Sequence, residues 1–347
     1  MNVRENVPAS ELSTMRVGGT IPRVVSIRSA ADAQRALEMT NELGLTFVPL
    51  GGGSNVVFGD GTLPYLVGLI EVPGIEYREH HSHQLVTCGA GVPWDELVAH
   101  TIERGLSGLE LLSAIPGTVG GAPIQNIGAY GAEFADTCES VEIFDPATRE
   151  VRLLNRASCG FSYRSSIFKR EPGAVVLRVT LRLHAAEHVP IPSHPEVAAA
   201  LQHTPATPAA IREAVRSIRA RKLPDPAITP NCGSFFTNPI VDETTAARIR
   251  AEFPDMPAYP AETGTKLSAG WLIERAGYKG ISRNGAGTHE RHALVLINHG
   301  TATGVSVRAL AQEIAEAVFD RFGVSLVPEA NLLPRYSVPA SPSSSLS

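Results

Sequence analysis

The chain has 347 residues, 43% of them hydrophobic and 19% charged, an ordinary globular composition long enough for two or three cores. Its formal net charge of −5 offers no basic field for gripping a nucleic-acid backbone, so that class of partner is excluded. Cys88, Cys138, Cys159 and Cys232 lie far apart and form no C-x-x-C pair, a pattern that fits packing residues in a reducing compartment rather than a disulfide framework or a zinc site.

In chain order, Met1 to Val17 mixes Arg4, Glu5, Glu11 and Arg16 into its first stretch and has no apolar core of a signal peptide. No later run reaches the roughly 18 apolar residues of a membrane span, so a cytoplasmic protein is expected. A β-rich run at Arg23 to Ile27, a helical period over Ala30 to Leu43 and a short strand at Phe47 to Leu50 predict a small α/β unit. That unit ends in Gly51-Gly52-Gly53-Ser54-Asn55 before another apolar run. A helix is predicted from Pro93 to Arg104, and strands at Ser140 to Phe144, Val151 to Leu154 and Val175 to Leu183. Residues 184–208 read as a connection and Ala209 to Arg221 as a helix. Further helices are expected at Thr244 to Phe253, Ser268 to Ala276 and Val305 to Phe322, around a strand at Ala293 to Ile297. The Ser- and Pro-rich residues 338–347 are expected to be a disordered tail.

Several loops carry candidate chemistry. Gly51–Asn55 lacks the Lys of a Walker loop and the G-x-G-x-x-G spacing of a Rossmann turn. Its three glycines still let backbone pass close to a pyrophosphate, with Ser54 and Asn55 as polar contacts; taken alone, an ordinary tight turn is an equal reading. Residues 115–131 hold five glycines and two prolines in seventeen positions, too broken for regular structure. Ile115, Pro116, Gly117, Thr118, Gly120, Gly121, Gln125, Asn126, Gly128, Ala129 and Tyr130 supply few charges and many backbone groups, suited to the edge of a large flat cofactor, with a packed structural loop as the competing account. Arg164 sits among Phe161, Ser162, Tyr163 and Ser165, where a fixed guanidinium can grip a carboxylate and a surface salt bridge is the competing account. Ser234 lies in Asn231–Pro239, where Phe236 rules out a G-x-S-x-G elbow; a proton donor in a shielded pocket and a plain turn serine are both open. His80, His81 and His83 read as a solvated turn. His289-Glu290-Arg291-His292 spaces its histidines by three where a zincin needs four, and no metal is expected.

Read as an ordered series, LGGGSN, IPGTVGGAPIQNIGAYG, FSYRSSIFK, RKLPDP, NCGSFFTNP, KLSAGWLIE and the VPE around Glu329 resemble the UDP-N-acetylenolpyruvoylglucosamine reductases of the enterobacterial type, over about residues 13 to 333. The resemblance implies an α+β protein: a two-lobed FAD-binding domain of the vanillyl-alcohol-oxidase type, at 14–75 and 76–221 joined by 326–335, and a C-terminal α/β substrate-binding domain at 222–325. It further implies noncovalent FAD, NADPH as hydride donor and a UDP-sugar enolpyruvyl ether as substrate, in a monomer. Arg164, Ser234 and Glu329 match the catalytic set, with Ser234 as proton donor and the other two stabilising an enolate. Tyr163, Lys222, Asn238 and Lys266 match substrate-binding positions. Relatives of this type carry a tyrosine in a loop over the uridine; Pro192-Ser193-His194-Pro195-Glu196 has none, and His194 stands in its region. An FAD oxidase of the same fold would share the flavin loops but has no use for RKLPDP, GSFFTNP and Glu329. A noncatalytic nucleotide-sugar-binding protein would not need Arg164, Ser234 and Glu329 together.

Overall fold

The computed structural model describes residues 1–171, 173–186, 189 and 192–334, and the chain forms two compact units. The first comprises 1–8, 20–54 and 64–223, the second 9–19, 55–63 and 224 onward.

In the first unit, Thr20–Ile27, Tyr65–Ile70 and Thr46–Leu50 run parallel, with Val3–Pro8 antiparallel on the outer edge. Parallel strands need crossover connections, and the helix Ala30–Leu43 makes the one from Thr20–Ile27 to Thr46–Leu50, the two strands that flank Tyr65–Ile70. Ser29 caps that helix by accepting from Asp32 N, and Gly44 ends it in a left-handed turn at φ 63°. Ala33 and Ala36 are fully buried, so the small side chains of the helical period face inward against the sheet.

A second, antiparallel sheet follows in the order Glu150–Asn155, Cys138–Asp145, Val175–Ala185, His83–Gly89, Ile75–His80. Val175–Ala185 is its spine, with Val175, Val179, Leu181 and Leu183 at zero exposure. One continuous core joins both sheets to the helix Trp94–Glu103 through Ile27, Leu66, Val86, Trp94, Leu97 and Phe134. Val197, Leu201, Ile211, Val215 and Ile218 form a satellite core under the helices Pro195–Ala200 and Pro208–Lys222.

The second unit gathers distant chain segments. Asn231–Ser234, His292–Asn298, Ala286–His289 and Ser282–Arg283 form one antiparallel sheet, and Ile240–Val241, Gly264–Leu267 and Ala258–Ala261 another. Asn331–Leu333 pairs in parallel with Val56–Phe58. The core packs Phe235, Phe236, Leu272, Leu296 and Phe322 around the helix Gly304–Phe322. Asp60 caps that helix, its carboxylate accepting from Gly304 N at 2.9 Å and Val305 N at 2.8 Å.

The α+β class is the one expected. The helices read from periodicity fall where anticipated, within a residue or two at their ends. Several strands were not anticipated, among them Tyr65–Ile70 and Ile75–His80, and two further elements escaped for a plain physical reason. Val3–Pro8 is exposed along almost its whole length, so no hydrophobic alternation marks it, and Pro195–Ala200 is a six-residue helix inside the stretch read as a connection. Residues 14–19, 55–63 and 326–334 belong to the second unit, whereas the sequence reading assigned them to the flavin-binding lobes. Residues 335 and 338–347 lie outside the described residues.

Candidate active site

In the first unit, the strand Thr46–Leu50 delivers Gly51–Ser54 against Pro116–Thr118. A Cβ on Gly51 would lie 2.5 Å from Thr118 Oγ1, one on Gly52 3.0 Å from Gly117 Cα, and one on Gly117 2.8 Å from Ser54 Oγ. A methyl at Gly51 or Gly117 would crowd a hydroxyl and one at Gly52 would press on the Gly117 backbone, so glycine is what lets the two segments pass this closely. Ser54 Oγ donates to Pro116 O at 3.1 Å. The N–H groups of Val119, Gly120, Gly121 and Ala122 all bond within the protein, so these four are not the ligand-facing donors of the loop. Thr118 Oγ1 is buried and has no hydrogen-bond partner among the described residues, whereas nothing lies within 4 Å of a Cβ placed on Gly121.

The far end of the same loop meets the segment carrying Arg164. Asn126, buried at 1% exposure, donates to Glu133 Oε2 at 2.6 Å and Ser162 O at 3.2 Å, and accepts from Ala135 N at 2.9 Å. Ser162 and Ser165 exchange backbone hydrogen bonds at 3.0 Å each, and this tight turn presents Arg164. Arg164 Nη2 donates to Gly128 O at 2.5 Å, and its guanidinium lies 5.2 Å from the Tyr163 ring centroid. Asn126, Tyr130 and Arg164 all adopt left-handed backbone, at φ 46°, 55° and 52°. Such residues are costly and gather where a site over-determines its geometry. Gln125 and Ala129 are half-buried in the same loop.

Tyr130 meets the His194 ring edge-on at 4.9 Å. Burial pushes the Tyr130 hydroxyl up, with the nearby Arg219 opposing, and burial pushes the Arg219 guanidinium down, against the pull of Tyr130 and Asp95. Lys222 pairs with Glu196. Lys222 is therefore held beside the short helix that follows His194.

In the second unit, Gly233 at φ 74° and a bulge in the pairing with His292–Asn298 turn the strand at Ser234, and Asn231 Oδ1 accepts from Gly233 N at 2.9 Å. Phe235 and Phe236 bury behind it. Glu329 N donates to Phe235 O at 2.8 Å, so Ser234 and Glu329 lie on neighbouring backbone. Asn55 Nδ2 donates to Glu329 O at 3.2 Å. Burial, reinforced by the Glu329 carboxylate, pushes the Cys232 thiol up to about 12. Asn238 Oδ1 accepts from Ala269 N at 2.9 Å and so helps cap the helix Ala269–Arg275, while Lys266 lies opposite Ile240 and Tyr259 in the adjoining sheet.

The structure thus gathers Gly51–Ser54 with Pro116–Thr118, and Gly128, Tyr163 and Arg164 with each other, in the first unit; Ser234, Glu329 and Asn55 come together in the second. Asp95 and Arg219 were not singled out from the sequence, because an acidic residue in a helix's first turn and an arginine in a basic helix carry no local signal.

A UDP-N-acetylenolpyruvoylglucosamine reductase of Pseudomonas aeruginosa is 41% identical over 336 residues, covering 96% of this chain and 99% of that protein. The chain belongs to the UDP-N-acetylenolpyruvoylglucosamine reductase family. Another reductase of that name, from Cupriavidus pinatubonensis, is 46% identical over 311 residues, 88% of this chain and 92% of its own. The family model for the UDP-N-acetylenolpyruvoylglucosamine reductase C-terminal domain matches residues 225–333, and that for an FAD binding domain matches 21–154. The crystal structure of the Thermus caldophilus reductase superposes with a TM-score of 0.67 at 25% identity, covering 95% of this chain and 99% of that one. Both glycine loops fall inside the FAD-binding match. The residues present fit that cofactor: closely passing glycine backbone and a buried hydroxyl at Thr118 suit an anionic phosphate group.

Proposed function

We propose that the chain reduces UDP-N-acetylenolpyruvoylglucosamine to UDP-N-acetylmuramate, a peptidoglycan precursor, with noncovalent FAD and NADPH, and that it works as a monomer in the cytoplasm. The observation that supports the reading is the backbone bond from Glu329 N to Phe235 O, which brings the segment carrying Ser234 next to the one carrying Glu329 in a chain of this reductase family. Among the described residues no helix is long and apolar enough to cross a membrane.

FAD held by the two glycine loops would supply the hydride chemistry for reducing the enolpyruvyl group at its terminal carbon, with NADPH as the source of the reducing equivalents. The protein's own groups handle the charge that results. Arg164 engages the substrate carboxylate, where a fixed guanidinium forms charge-assisted, bidentate bonds. Glu329 shares a proton with the developing enolate, and Ser234 gives a proton to the carbon beside the carboxylate. A serine hydroxyl is a poor acid in water, so this transfer needs a shielded setting. Phe235 and Phe236, both at or below 1% exposure, provide the dry wall behind Ser234. Gly51, Gly52, Gly53, Ser54 and Asn55 with residues 115–130 hold the cofactor, and Tyr163, Lys222, Asn238 and Lys266 the sugar nucleotide. For Asn238 the binding role falls to its amide nitrogen, because its oxygen caps a helix.

The test is Ser234→Ala, read as two half-reactions. NADPH should bleach the yellow holoenzyme at an unchanged rate, while anaerobic recovery of colour on adding the enolpyruvyl sugar nucleotide slows by about 10²–10³, the scale for loss of one transition-state donor. Equal slowing of both halves would make Ser234 a structural residue. A folded wild-type chain that binds no flavin would overturn the whole reading.

A further inference from the structure

We infer that Asp95 is a positioning residue for the flavin loop: its carboxylate holds Ala114 in a left-handed turn and so sets the course of Ile115–Thr118. The inference rests on the FAD-reductase reading above.

Asp95 lies in the first turn of the helix Trp94–Glu103, which grips the stretch leading into the flavin loop along its length. Trp94 Nε1 donates to Leu112 O at 2.9 Å, Trp94 N donates to Gly117 O at 3.0 Å, and Pro93 and Thr118 form a β-bridge. Between these ties stands Ala114 at φ 58°. Asparagine in that conformation can steady itself through its own side chain; alanine cannot, and needs an outside hold. Asp95 Oδ1 provides it by accepting from Ala114 N at 2.5 Å.

The carboxylate is itself fixed. Arg212, on the helix Pro208–Lys222, donates from Nη1 to Oδ1 at 2.6 Å and from Nη2 to Oδ2 at 2.9 Å, the bidentate fork. Its side chain is 14% exposed. Burial disfavours the Asp95 anion, but Arg212, the Ala114 N–H and the more distant Arg216 outweigh it and hold the carboxyl below its usual range. The anion is thus kept in the form that both partners require. Arg212 alone would make this a salt bridge docking one helix on another; the third bond, to a left-handed alanine one residue before Ile115, points to positioning.

The experiment is an FAD titration of the full-length apoprotein. Asp95→Ala should weaken FAD binding at least tenfold, and Ala114→Gly in the same chain should restore most of the loss, since glycine holds a positive φ unaided. Ala114→Gly alone should bind FAD within twofold of wild type. FAD affinity within twofold of wild type in Asp95→Ala, or a loss that Ala114→Gly leaves untouched, would overturn the inference, the latter reducing Asp95 to a helix-docking salt bridge. If Asp95→Ala does not fold, Arg212→Gln is read by the same titration: a loss of threefold or more that Ala114→Gly repairs supports the positioning role, and an unchanged affinity overturns it. A wild-type chain that binds no FAD refutes the underlying functional reading instead, before any variant is compared.

Discussion

Thr118 illustrates how a single atom ties fold to function. A hydroxyl buried without a hydrogen bond costs about 1–3 kcal/mol, and Thr118 Oγ1 is in that position with Gly51 packed against it. Thr118→Val keeps the shape and deletes the stranded oxygen. The expectation is opposite shifts in two measurements: apoprotein stability to urea holds or rises, while FAD affinity by fluorescence titration falls about tenfold or more, the worth of a hydrogen bond to a charged group. An unchanged FAD affinity would remove Thr118 from the cofactor site. Residues of this kind stand out in the sequence because their signal is local. Glycines and prolines crowd into 115–131, and Arg164, Ser234 and Glu329 each sit in a short recognisable string. Asp95 was not legible, since its meaning depends on Arg212, 117 positions away, and on the φ of Ala114, which no composition reveals.

Among the elements, the helix Gly304–Phe322 was read from periodicity almost to its ends. Its N-terminus, however, is finished by a residue from elsewhere in the chain, 244 positions earlier, when Asp60 accepts from Gly304 N and Val305 N. The backbone comes so close there that a Cβ on Gly304 would lie 2.2 Å from Phe58 O. Asp60→Ala removes both the acceptor and a negative charge at the positive end of a helix dipole. A loss of about 1–2 kcal/mol in unfolding free energy, measured by urea titration, is expected; no loss would mean that Thr303, which accepts from Ser306 N, suffices as the cap. The elements that escaped the sequence reading did so for physical reasons. The strand Val3–Pro8 has one buried residue and takes its order from backbone pairing with Thr20–Ile27. The helix Pro195–Ala200 is too short for a hydrophobic period to declare itself.

For the molecule as a whole, class and family were legible because an ordered series of motifs spans nearly the full chain, as do the relatives it matches. The partition into units was legible only in part. Residues 55–63 follow the glycine turn directly, yet they pair with the segment around Asn331–Leu333, a long-range choice that periodicity does not encode. The buried thiols give a molecule-wide expectation. Burial pushes Cys88 and Cys232 up to about 12, above the ordinary thiol value of about 8.5. Because the folded values are raised, their contribution to stability is full below about pH 9 and is lost as pH climbs toward 12. Urea midpoints should therefore fall between pH 9 and 11. In a chain carrying Cys88→Ala and Cys232→Ala the midpoint should start lower but decline less steeply; an identical slope would assign the alkaline loss to other groups.

The pairing of Asn331–Leu333 with Val56–Phe58 also bears on how the protein comes into being. Asn331 N and Asn331 Nδ2 both donate to Asn55 O, across 276 positions. Closing so long a loop is entropically slow. On a ribosome adding about 5–20 residues per second, the second unit waits tens of seconds between the synthesis of one strand and that of its partner. During that interval Val56, Val57 and Phe58, each buried at 3% or less in the finished fold, are apolar backbone with an open edge. Nascent-chain aggregation and chaperone dependence should thus concentrate on this early strand, long before the late strand that covers it has emerged.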